Sequence, residues 1–269
     1  QRQMCIRDSL MRVALILATL VLFVLVSGFL ARVGWATGLW PWPAKPLSFV
    51  FIASILAAIA LPVLWIALAG EAAAIRAGAL DLTVMYGGMF IYVLTLTGHP
   101  HEPRLWPYTV AFGLATAGSA GAFLSARRVP WADPRPMPQP VRLSFAAFAV
   151  ILTGAGVALL LHASIFPWQL GRETSVMFGL TFLGAATYFS YGTLDPHWSN
   201  AVGQLAGFLA YDVVLLAPFS GRFSTARGGS LVSLIIYVVF LVYSGTLASY
   251  YLFASNATRI RLAFTGPEP

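Results

Sequence analysis

Eight long apolar stretches follow one another along this chain, and they leave few folds open to it. A hydrocarbon core about 30 Å thick takes roughly 20 apolar residues at 1.5 Å each. Without water for the backbone, only helices of that length or closed barrels cross it. The runs are continuous rather than alternating, which selects helices. Hydrophobic residues make up 59% of the 269 and charged residues 9%, and no linker between runs is long enough for a soluble domain. The expected class is an all-α, polytopic transmembrane helical bundle of about eight spans.

Apolar windows and turn signals put the spans near 11–31, 47–70, 73–97, 106–126, 142–163, 174–193, 200–219 and 230–254. Between them lie proline- and glycine-marked linkers, such as Gly38 to Pro46 and the proline-rich stretch Arg127 to Pro140. Gln1 to Ser9 breaks the pattern and reads as translated adapter sequence, so residues 1–10 are expected to be a non-native or disordered tail. Met11 and Arg12 then lead into an uncleaved first helix, because no small-x-small cleavage site precedes Phe29. Cys5, the only cysteine, falls in that tail, which excludes an intramolecular disulfide, a cysteine-ligated cluster and a thiol zinc site.

Cytoplasmic loops keep the excess of arginine and lysine. Eight spans put both termini on one side with Arg12, Arg76, Arg127, Arg128, Arg135, Arg142, Arg259 and Arg261. The other side holds Arg32, Lys45, Arg104, Arg172, Arg222 and Arg227. The cluster from Arg127 to Arg142 carries most of the weight, so both termini are expected to be cytoplasmic, in a bacterial inner membrane. The formal charge of +7 suits anchoring to the anionic inner leaflet. No basic cluster interleaved with aromatics sits on a soluble domain, so nucleic acid is not an expected partner.

Leu39-Trp40-Pro41-Trp42 precedes the second span and Ile165-Phe166-Pro167-Trp168 the sixth, 126 residues on. The same offset carries the starts of spans one to four close to those of five to eight, and sets Ala53 over Gly179, Ala58 over Gly184 and Ala60 over Ala186. Four spans per half give both halves one orientation, a parallel 4+4 repeat about the membrane normal. Residues 11–130 would form the first four-helix repeat and 131–269 the second. With Trp40, Pro41 and Trp42, supported by Phe166-Pro167-Trp168, the chain also resembles a loose group of uncharacterised bacterial multi-span proteins with a Trp-Pro-Trp segment before the second helix. That resemblance implies a topology and no chemistry.

Ionisable side chains inside a bilayer are costly and invite a functional reading. Asp212 sits about 18 Å into the seventh span by helical rise. Asn200, Gln204, Phe208 and Asp212 recur every four residues on one face. Asp81 lies nearer its span end, where Arg76 offers an interfacial partner. Tyr188, Tyr191, Asp195, His197, Trp198, Ser199 and Asn200 form the densest polar segment, with Ser199 or Asn200 suited to cap the seventh span. The candidate intramembrane site is therefore Asp212, Gln204, Asn200, Asp81, Tyr188 and Tyr191. His99, His101 and His162 are weak metal-ligand candidates, outweighed by an interfacial role, so neither a metal nor a cofactor is expected.

Phosphate loops, nucleophile elbows and zinc-protease pairs are absent from the sequence. Three function classes remain. A transporter or permease for a small solute, with proton coupling, follows from the repeat, the short loops and a deep carboxylate. A structural or assembly subunit with membrane-protein partners follows from the small-residue helix faces. An intramembrane enzyme or lipid-binding protein, the class least favoured, requires the 188–204 segment and Asp212 to converge on one pocket.

Overall fold

The computed structural model describes residues 2–97 and 103–260. Its long helices are α1 (Arg2–Leu30), α3 (Pro46–Ala69), α4 (Ile75–Thr97), α5 (Trp106–Ala126), α6 (Gln139–Leu160), α7 (Arg172–Leu194), α8 (Trp198–Ser220) and α9 (Gly229–Ser249), with a one-turn α2 (Gly34–Thr37) after α1. Seven of them, all but α7, are long and apolar enough to cross a membrane. The protein is thus an all-helical, multi-pass membrane protein. Backbone 2–10, expected as a tail, is helical and continuous with α1. Helix α6 starts three residues before the expected 142 because Pro140 fits its first turn, and the last apolar run closes in a π turn, Tyr250–Ala254.

Neighbouring helices define two rows, α1–α3–α8–α9 and α5–α4–α7–α6. Aromatic side chains fill the space between the rows: Phe51 of α3 packs on Phe178 and Phe182 of α7, and Phe208 of α8 on Phe148 and Phe189. Helix α7 explains why hydropathy alone is a poor guide. It is wrapped by protein, with buried residues from Thr174 to Gly192, so it needs no lipid-compatible surface. Its hydroxyls instead bond back to their own helix, Thr181 to Met177 O, Thr187 to Leu183 O, Ser190 to Ala186 O and Thr193 to Phe189 O.

Close approach fixes the inner helices. A Cβ at Gly207 would fall 2.7 Å from Ala58 O of α3, and one at Gly184 would run into Asp81 Oδ1 and lie 2.8 Å from Met85 Cβ of α4. Small residues let helices associate in this way without a hydrophobic driving force. Helix ends use the left-handed turn that closes the last carbonyls. Gly70 (φ +69) ends α3, while Arg32 (φ 52) and His162 (φ 60) take that conformation beyond α1 and α6.

Candidate functional site

Pro196 cannot continue a helix, and the chain breaks between α7 and α8 at Asp195-Pro196-His197. Around this break gathers the densest polar cluster. His197 Nδ1 lies 2.6 Å from Asp195 Oδ1, and the Tyr191 hydroxyl donates to Asp195 Oδ2 at 3.3 Å. Arg76 at the start of α4 stands 3.8 Å from the same carboxylate, donates to Ala126 O at 3.0 Å and also to Val129 O, and lies 4.6 Å over the ring of Trp131. Trp131 stacks in turn on His197 at 4.6 Å. A closed ring results: Arg76, Trp131, His197, Asp195.

Residues 127–138, which connect α5 to α6, are thereby strapped across the ends of α4, α7 and α8. Two main-chain bonds reinforce the strap, Met137 N to Pro196 O (2.7 Å) and Trp198 N to Arg135 O (2.8 Å). Buried Glu71, between α3 and α4, accepts from Ala132 N at 3.2 Å, Asp133 N at 3.0 Å and Ser199 Oγ at 3.2 Å. Arg135 donates to both oxygens of Asp133, and this hydrogen bonding holds the Asp133 carboxyl below its usual range.

The six expected site residues do not form one site. Tyr188 donates to the main-chain oxygen of Asn200 at 2.9 Å, and Asn200 Nδ2 donates to Asp195 O at 2.9 Å, so these two join Tyr191 in the cluster under the strap. Asn200 Oδ1 is buried and accepts nothing among the described residues. Neither Ser199 nor Asn200 caps α8: the helix already begins at Trp198, so both lie inside its first turn, and His197 holds the N-cap position without a side-chain bond. Asp81 does not pair with Arg76, whose guanidinium is occupied at the strap; it lies against Gly184 of α7. Gln204 is half-buried on α8. Asp212 is 7% exposed and accepts from Ser244 Oγ of α9 at 3.1 Å on each oxygen. Twelve residues, about 18 Å of helix, separate it from Asn200, so the 188–204 segment and Asp212 do not converge on one pocket.

Two cavities among the described residues bear on the site. One, of about 460 Å³, opens at the end away from the strap and is lined by His162, Ser164, Phe166, Trp168, Gln169, Leu170, Arg172 and Ser175, with Ala163. Its floor is the buried pair Phe166 and Trp168, which belongs to an aromatic cluster with Phe51, Phe178, Phe182 and Phe219. The other, of about 510 Å³, is an open groove between α8 and α9 beside Asp212, lined mainly by apolar residues and by Gly245, Thr246 and Ser249. Among the described residues no three metal-type side chains converge; His99 and His101 lie outside those residues.

Glu71, Arg76 and Trp131 escaped the sequence reading as a group. Each is an isolated residue in its own segment, and only the fold joins them. The local sequence around Glu71 names none of its partners, since its donors come from residues 132, 133 and 199. Compared with known proteins, the chain matches no family model, no curated protein and no solved structure at a significant level.

Proposed function

We propose that the protein is an eight-span, permease-like membrane protein of parallel 4+4 design, which admits a small solute at the end away from the strap and is closed at the strap end. The observation that carries this reading is the pairing of an open, polar-rimmed pocket at one end with a latched polar cluster at the other. One end open and one shut is the arrangement that alternating access requires.

Several contacts support the repeat. Exchanging α1, α3, α4 and α5 with α6, α7, α8 and α9 turns each row of neighbours into the other, α3–α8 becoming α7–α4. Gly207 against Ala58 and Asp81 against Gly184 are the same pair of positions displaced by 126. Arg32 and His162, the two non-glycine residues with positive φ among the described residues, are 130 apart; the extra four match the four residues of α2. On this reading α7 is the eighth span, its polarity tolerated because protein surrounds it. The strap end gathers Arg12, Arg76, Arg127, Arg128, Arg135, Arg142 and Arg259, which favours it as the cytoplasmic side of a bacterial inner membrane.

Proteoliposomes test the function. Stopped-flow light scattering after a jump in small-solute concentration is expected to give faster, solute-selective volume recovery than empty liposomes. Recovery identical to empty liposomes for acids, amines and neutral solutes, with the protein folded, would falsify it.

A second reading, a subunit of a membrane complex, is favoured by the groove between α8 and α9, where Gly245, Thr246 and Ser249 present small side chains at the molecular surface. Cross-linking in native membranes that traps a partner on α9 would select it.

A further inference from the structure

Resting on the reading of the far-end pocket as a solute entry, we infer that this pocket takes an anionic group carried on an apolar body. Its size, about 460 Å³, falls in the range that encloses small ligands. Its floor and rim differ in chemistry. Phe166 and Trp168 are buried, and Trp168 is held in place because its indole N–H already donates to Ser48 Oγ of α3 at 3.0 Å. Ser175, also buried, donates to Leu159 O at 2.8 Å. Neither has a hydrogen to spare, so the floor offers a ligand apolar surface. The free polar groups are at the rim: His162, Ser164, Gln169 and Arg172, all exposed.

Among the described residues no carboxylate lines the pocket, and Glu173, beside Arg172 in sequence, is not among its walls. The one fixed charge among the lining residues is therefore the Arg172 guanidinium. A guanidinium presents a planar fork that matches a carboxylate or phosphate with two parallel bonds, and Gln169 and Ser164 add neutral donors. The ligand enters apolar end first and leaves its charge at Arg172. Because the pocket lies where α6 ends and α7 begins, at headgroup depth for spanning helices, the anion can come from a free organic acid or from an anionic lipid.

The test is equilibrium binding to the full chain in a neutral maltoside detergent, using benzoate against its neutral isostere benzamide, and dioctanoyl phosphatidylglycerol against dioctanoyl phosphatidylcholine. The anion of at least one pair is expected to bind about tenfold or more tightly than its neutral counterpart. Arg172→Gln is expected to abolish that preference, Arg172→Lys to retain part of it and Glu173→Gln to leave it unchanged, with melting temperatures confirming that each variant is folded. Preference within the benzoate pair assigns a free acid; preference confined to the phosphatidylglycerol pair assigns a lipid. Equal binding of anion and neutral isostere, unaffected at Arg172, overturns the anion assignment while leaving a solute pocket in place. Absence of binding by all four overturns the inference, and the liposome assay then decides the permease reading separately.

Discussion

The indole nitrogen of Trp168 donates to the hydroxyl of Ser48 at 3.0 Å, tying the connection before α7 to the first turn of α3, 120 residues away. Displaced by 126, the same pair of positions is Trp42 and Thr174, yet Thr174 Oγ1 is buried with no partner. On the proposed repeat, the two halves differ at this bond. Ser48→Ala is expected to destabilise by about 1–3 kcal/mol, since it strands a buried donor, whereas Thr174→Ala removes an unmatched hydroxyl and is expected to be near neutral. Unfolding in mixed micelles separates the two; equal losses would mean that the bond contributes nothing specific.

Helix contact at glycine gives a sharper contrast. Gly207→Ala puts a Cβ 2.7 Å from the main-chain oxygen of Ala58, which a rigid backbone accommodates only by shifting, at a cost of about 1–3 kcal/mol. At Gly121 and Gly154 nothing lies within 4 Å of an added Cβ. Alanine at those positions is expected to be neutral or stabilising by up to about 1 kcal/mol. The ranking in a micelle unfolding series checks the α3–α8 contact directly.

Asp212 was the boldest functional expectation from sequence, and its surroundings favour a joining role: a carboxyl group bonded to Ser244 across α8 and α9. Asp212→Asn keeps shape and hydrogen bonding but cannot ionise. Stability within about 0.5 kcal/mol and an unchanged pH profile of solute flux are expected, with Ser244→Ala costing about 0.6 kcal/mol, typical of such bonds in bilayers. Loss of pH dependence in the Asn variant would restore proton coupling as its role.

The strap yields a stability prediction with a sign. Glu71→Ala leaves three donors, Ala132 N, Asp133 N and Ser199 Oγ, without their acceptor, and is expected to destabilise by about 1–3 kcal/mol and to expose 127–138 to protease. Asp133, held below its usual range chiefly by the Arg135 hydrogen bond, contributes stability that is present above the unfolded carboxyl value of about 3.9 and lost as pH falls below it. The pair is largely exposed, so Asp133→Asn is expected to cost under about 1 kcal/mol near neutral pH. A loss that appears on raising the pH instead would contradict the assignment.

Sequence revealed the helices because lipid imposes one rule on every spanning segment: length and apolarity together. It expected α7, whose burial hides its purpose from a hydropathy window, only because turn signals bounded it. The 126-residue spacing of Trp42 and Trp168 stands out because proline and tryptophan mark membrane edges, and the proposed repeat starts from it. The polar cluster was half visible. Tyr188 to Asn200 announced itself by density, but Glu71, Arg76 and Trp131 come from three segments whose meeting depends on how rows of helices pack. No local pattern encodes that meeting. For Asp212, depth along a helix says nothing about which neighbour the side chain meets, and only the fold brings it to Ser244.

Whether the two ends of the molecule are coupled is the most direct question for a permease. With Cys5 replaced by serine, single cysteines at Ala77, fully buried below the strap, and at Gln169, on the pocket rim, can be labelled with a maleimide in nanodiscs, where both faces are accessible. Unlatching the strap with Trp131→Ala is predicted to speed labelling at position 77 and to slow it at position 169, as the far pocket closes. Faster labelling at 77 with an unchanged or faster rate at 169 would contradict the account, since the two ends would then open independently.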